Sequence, residues 1–211
     1  MQFHRTTPIL LLFILFLATI ACKKSDDSEK LLITGDEGSV NDFTLIRPSE
    51  IPLTSENINN GFKWTTYSMV LDLDGDETFD IAIAYIQQSN INGDRNYYTS
   101  INRFNNDFEI MGRTGALFGN QTWAPTMLEK GERVELTNAQ WGIANSSNYL
   151  SWQVIEAGVE ISNYNLFPIP ESDAYLIWRM TNTDNRLIYG WIHLNQTNAN
   201  FRPEVLDIAF K

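Results

Sequence analysis

The chain has 211 residues, with 15 basic and 26 acidic side chains and a formal net charge of −11. So acidic a surface repels nucleic acid and anionic headgroups and suits cation binding, which excludes a nucleic-acid partner and any membrane attachment through a basic face. A single cysteine rules out an intramolecular disulfide, so stability has to come from the core.

The first predicted element is N-terminal. Met1–Thr7 carries one arginine and no acid, Ile9–Leu17 is wholly apolar, and Thr19-Ile20-Ala21 leads into Cys22. This is the layout of a secretory signal peptide. A membrane-spanning helix needs about 20 apolar residues. Ile9–Ala21 is too short once Thr19 is discounted, and Lys23 and Lys24 end it.

A cysteine directly after a small residue makes the segment resemble a bacterial lipoprotein signal, although Thr19 stands where such signals usually carry leucine. The resemblance implies lipidation of Cys22, removal of residues 1–21 and attachment to the membrane through an N-terminal lipid. Residues 22–30 then form an acidic tether. Its Lys23-Lys24-Ser25-Asp26-Asp27 resembles the tag that sends some Gram-negative lipoproteins to the outer face of the outer membrane. Residues 1–21 hold one arginine and no acid, so the remainder has 14 basic and 26 acidic residues, a net −12.

Residues 31–211 are long enough for one sizeable core and short for two. Leu31-Leu32-Ile33 and Phe43-Thr44-Leu45-Ile46 each predict a short strand in a patchy stretch punctuated by Gly35, Gly38, Pro48 and Pro52. The signals are clearest from Phe62. The β-branched and aromatic run to Leu71 predicts a strand, and Phe79–Ile86 a second with apolar residues on both faces. Tyr97–Phe104, Phe108–Gly112, Arg133–Thr137, Tyr149–Ile155, Ala174–Thr181, Leu187–Leu194 and Glu204–Phe210 complete the set, joined by Asn-, Gly-, Ser- and Pro-rich turns. No stretch longer than two turns has a helical period. The expectation is an all-β, antiparallel, jelly-roll-like β-sandwich in a single domain.

One constellation carries chemistry. In Asp72-Leu73-Asp74-Gly75-Asp76-Glu77-Thr78-Phe79-Asp80, carboxylates fall at loop positions 1, 3, 5 and 9, and Thr78 at position 7 would offer its backbone carbonyl. A tight turn aims such alternate side chains at one centre, and hard anionic oxygens suit calcium, which takes 6–8 of them at about 2.3–2.6 Å. The loop resembles those of EF-hand-like modules, and more closely those between strands of β-propeller repeats. It departs from the EF-hand at position 6, Glu77 in place of glycine, and at position 12, where Ile83 replaces the bidentate glutamate. Asp72, Asp74, Asp76, Thr78 and Asp80 are thus the expected ligands of a structural calcium ion. A merely solvated acidic turn is disfavoured, because two carboxylates about 5 Å apart repel by roughly 1 kcal/mol even in water.

After signal cleavage His193 is the only histidine. Alternation puts Trp191, His193 and Asn195 on one face of a strand and Ile192 and Leu194 on the other. With no Gly-x-Ser-x-Gly elbow and too few nitrogen or sulfur donors for zinc, a polar residue on a half-exposed face is expected. Of the six tryptophans, Trp123 and Trp141 lie in turn-rich stretches and are the better candidates for exposure; the others are expected in the core.

Tyr175-Leu176-Ile177-Trp178-Arg179, the turn Thr183-Asp184-Asn185, Tyr189-Gly190-Trp191-Ile192 and Val205–Phe210 are similar to secreted bacterial β-proteins of unknown function. Those also carry an upstream Asp-rich loop and a segment like Leu128-Glu129-Lys130-Gly131. The resemblance, over roughly Phe62 to Phe210, implies a shared fold and ion but lends no catalytic residues. The expected function is a calcium-stabilised surface lipoprotein that binds a glycan or protein ligand. The alternative is a surface polysaccharide hydrolase using Asp and Glu as acid and base, which would show two facing carboxylates in a cleft.

Overall fold

A computed structural model describes residues 31–35, 44–46, 52–59, 61–114, 123–143, 149–166, 173–195 and 203–211. Cys22 and the predicted signal and tether lie outside these. In chain order the strands are β1 (Leu31–Ile33), β2 (Thr44–Ile46), β3 (Pro52–Asn59), β4 (Phe62–Leu71), β5 (Ile81–Asn90), β6 (Arg95–Arg103), β7 (Glu109–Thr114) and β8 (Trp123–Pro125). They continue with β9 (Met127–Leu128), β10 (Arg133–Glu135), β11 (Trp141–Ile143), β12 (Tyr149–Glu156), β13 (Val159–Asn165), β14 (Asp173–Thr181), β15 (Leu187–Asn195) and β16 (Glu204–Phe210).

Alternation of side chains sorts these strands into two facing layers. One sheet runs β13-β12-β6-β5-β4-β3, and the other runs β11-β7-β14-β15-β16-β2 with β8 and β9 added at its side. All pairings are antiparallel, and among the described residues there is no helix. Leu71, Ile81, Ile83 and Ile101 from the first sheet meet Ile110, Leu176, Trp178, Ile192 and Leu194 from the second, all nearly inaccessible. The molecule is an all-β antiparallel sandwich, as the sequence leads one to expect.

A third, smaller layer goes beyond that expectation. Residues Ala174–Trp178 of β14 are buried on both faces. Their even-numbered side chains enter the inter-sheet core, while Tyr175 and Ile177 join Trp191, Ala209, Leu32 and Val134 in a second apolar cluster. The last two residues belong to the β1–β10 pair, which therefore lies over the outer face of the second sheet. Continuous apolar runs of this kind are the signature of a strand covered on both sides.

Trp123 and Trp141 differ from expectation: neither is exposed. Each sits half-buried in a short strand, β8 or β11. Glycines make the seat for Trp123, since a Cβ at Gly112 or Gly142 would lie 2.2 or 2.3 Å from its ring. Trp141 packs against the outer cluster beneath Arg179.

Candidate metal centre

The acidic loop joins β4 to β5, and the core determines its direction. Leu71 and Leu73 are both buried in the inter-sheet cluster, so alternation turns Asp72 and Asp74 away from it. Gly75 then takes φ +78° and Glu77 φ +69°. Glu77 occupies the position where calcium loops carry glycine, and its backbone adopts the left-handed conformation that glycine would provide. That conformation strains a non-glycine residue by about 1–2 kcal/mol. The departure from the loop pattern is thus one of side chain and not of backbone.

The carboxylates organise the turn by accepting backbone N–H groups. Asp72 accepts from Gly75 (2.7 Å) and Glu77 (2.9 Å), Asp74 from Asp76 (3.2 Å), and Asp76 from Thr78 (2.8 Å). Asp80 is 3% exposed and accepts from the Leu73 N–H (2.8 Å) and Asn105 Nδ2 (3.2 Å). Its own carbonyl accepts from the Phe104 and Asn105 N–H groups, which ties the loop to the β6–β7 turn.

One carboxylate oxygen each from Asp72, Asp74 and Asp80 lies within 4.8 Å of the others. The three form a group that can hold a metal ion. Asp76 is not among them; its Oδ1 instead takes the Thr78 N–H, and Thr78 is exposed. At such a spacing each ionised pair repels by about 3 kcal/mol at an effective dielectric of 20. Burial adds to this repulsion. Burial, followed by the charges of Asp80 and Asp76, pushes the Asp74 carboxyl up to about 6. Burial also raises Asp80, against the pull of its two hydrogen bonds.

Asn105 is the residue that spacing could not reveal. It orients Asp80 from 25 positions downstream, across a turn whose course only the fold defines. His193 is half-buried and stacked on Tyr175, with centroids 4.4 Å apart. Its Nδ1 lies 3.3 Å from Asp207 and its Nε2 3.5 Å from Asp173. It shares the outer face of β15 with Trp191, as alternation requires.

Comparison of the chain with models of known families, with curated proteins and with solved structures found no match. Class therefore follows from fold and site alone: an all-β sandwich with an acidic hairpin able to hold a metal ion.

Proposed function

We propose that this protein is a cell-surface lipoprotein whose sandwich is stabilised by calcium and serves as a ligand-binding module. The observation that carries the calcium reading is the convergence of Asp72, Asp74 and the buried Asp80. Burying mutually repelling carboxylates opposes folding unless a cation joins them. The donors are all hard anionic oxygens, which suit calcium's high, irregular coordination better than magnesium's strict octahedron. Asp76, the Thr78 carbonyl and water would complete the shell. Among the described residues the acids held high, Asp74 and Asp80, lie in this one cluster and not across a cleft, which favours a binding module over the polysaccharide hydrolase.

Extracellular calcium modules bind at about 10⁻⁴–10⁻³ M, so about 2 mM calcium adds roughly 0.6–1.8 kcal/mol to folding. Chelation should lower the melting temperature by roughly 1–7 °C, with calcium reversing the loss better than magnesium. An unchanged melt on chelation would refute the stabilising role. Cys22→Ser is expected to move the protein from the membrane to the soluble fraction. A mutant that stays membrane-bound would overturn the lipid anchor.

A further inference from the structure

The outer face of the second sheet bears an open pocket of about 640 Å³, lined in part by Thr137, Trp141, Arg179 and Lys211. Its cations are already engaged: Arg179 Nε and Nη2 both donate to Glu109 Oε2 at 2.5 Å, and Lys211 also has a partner. The outer face of the first sheet differs in kind. Leu71, Ile81, Ile83 and Ile101 enter the core, so alternation turns the even-numbered residues of β4, β5 and β6 outward. Although the chain carries a net −11, none of these outward residues is charged.

Register brings the larger ones together. Ile86 pairs with Tyr98 and Tyr98 with Trp152; in the next row Trp64 pairs with Gln88, Gln88 with Asn96 and Asn96 with Val154. All of these side chains are half-buried, whereas Ala82, Ala84 and Ser100, nearer the acidic loop, are buried. Tyr98, Tyr149 and Trp152 form a three-ring cluster with centroids 5.2–6.2 Å apart. Trp64 and Trp152, which the sequence places in the core, belong to neither apolar cluster. Beside the rings Asn96 Nδ2 donates to Gln88 Oε1 at 3.1 Å. The Gln88 amide N–H groups and the Asn96 amide oxygen have no partner among the described residues. Burial, and then Tyr149, pushes Tyr98 up to about 12, so its hydroxyl stays a neutral donor.

We propose that this face binds a neutral glycan, a chain of uncharged pyranose units. The inference rests on the reading of the domain as a ligand-binding module. An ionised ligand would shed water here without meeting a counter-charge. An apolar partner would bury the Gln88 and Asn96 amides with their remaining hydrogen bonds unmade. A pyranose suits both features. Its C–H faces pack on the rings, and its hydroxyls, each a donor and an acceptor, meet the amide N–H groups and oxygen. The ring cluster and the amide pair are held by the sheet before binding, which lessens the entropy lost.

The test is calorimetry on the full chain with calcium present, in a detergent that carries no sugar. The probes are cellohexaose, mannohexaose and laminarihexaose, all neutral, against hexagalacturonate, which is acidic. At least one neutral probe should bind with Kd of about 10⁻³ M or tighter, and hexagalacturonate at least about tenfold more weakly. Trp152→Ala should weaken neutral binding by about tenfold or more, and Gln88→Ala by about threefold. Thr137→Ala, in the pocket of the second sheet, should leave it unchanged. No neutral probe bound up to about 10 mM, equal binding of the acidic one, or binding unchanged in both Trp152→Ala and Gln88→Ala would overturn the proposal. So would loss of binding in Thr137→Ala. Should Trp152→Ala fail to fold, Gln88→Ala decides alone. Binding of hexagalacturonate only would sink this face and leave the module reading standing. The calcium-dependent melting shift, read on the same samples, tests the calcium reading separately.

Discussion

Gly190→Ala is expected to lower the melting temperature by roughly 6–12 °C, the equivalent of about 3 kcal/mol in a domain of this size. Gly190 is buried in the middle of β15. A Cβ there would lie 2.1 Å from the Ala209 carbonyl oxygen and 2.6 Å from the ring of Trp178. Neither neighbour can yield cheaply. Ala209 belongs to the β15–β16 ladder, where it pairs with Trp191, and Trp178 is fully buried between the sheets. The clash falls on the upper part of the usual overpacking range, about 1–3 kcal/mol, because one of the opposing atoms is backbone. A variant melting within about 1 °C of wild type would show that the sheets are not packed as described here.

Asp80→Ala and Asp74→Asn should both abolish the response to calcium, yet act with opposite sign on the calcium-free protein. Removing the Asp80 carboxylate leaves the buried Leu73 N–H without its acceptor, at about 1–3 kcal/mol, and also takes the acceptor from the half-buried Asn105 Nδ2. Chelated Asp80→Ala should therefore be markedly less stable than chelated wild type. Asp74→Asn keeps the shape and deletes the charge that burial, Asp80 and Asp76 all oppose. Its chelated form should be at least as stable as wild type. Thermal melts with chelator and with calcium read both effects, and an Asp74→Asn protein still stabilised by calcium would remove Asp74 from the site.

Much of the sandwich was legible in the sequence because its central strands alternate or run continuously apolar. β4, β14, β15 and β16 fall within about one residue of their predicted spans. The predicted start at Phe79 is two residues early: Phe79 is 47% exposed and Asp80 belongs to the loop, so apolar character alone misplaced the boundary. β3 and β13 escaped notice for another reason. They are the two edges of the first sheet; β3 is largely polar, and Ile58, Val159 and Ile161 point to solvent, so no burial imposes a pattern. β8, β9 and β11 have two or three residues, too few for any period.

The site divides in the same way. Asp72, Asp74 and Asp80 come together because the loop is local and its direction is set by the buried leucines on either side of Asp72. The pocket around Arg179 joins four separate strands and turns, and no short motif could announce it. Trp141 is a candidate for exposure on its turn-rich surroundings. It lines that pocket, but as a half-buried wall and not as an exposed platform.

Direct titration of the chelator-treated protein with calcium, by calorimetry at pH 7 and again at pH 5, bears most closely on the metal site. Asp74 is held up at about 6, above its ordinary value of 3.8. A raised acid favours the calcium-free fold while protonated, and that stability is lost as pH rises from about 4 through 6. Calcium needs the ionised form, so its affinity moves the other way. At pH 5 only about a tenth of Asp74 is ionised, and calcium should bind about tenfold more weakly than at pH 7, with the raised Asp80 adding to the difference. The expected result is one site at pH 7 with Kd about 10⁻⁴–10⁻³ M, weakened by this factor at pH 5. Absence of binding up to about 10 mM calcium at pH 7 would contradict it and leave the loop a solvated acidic turn.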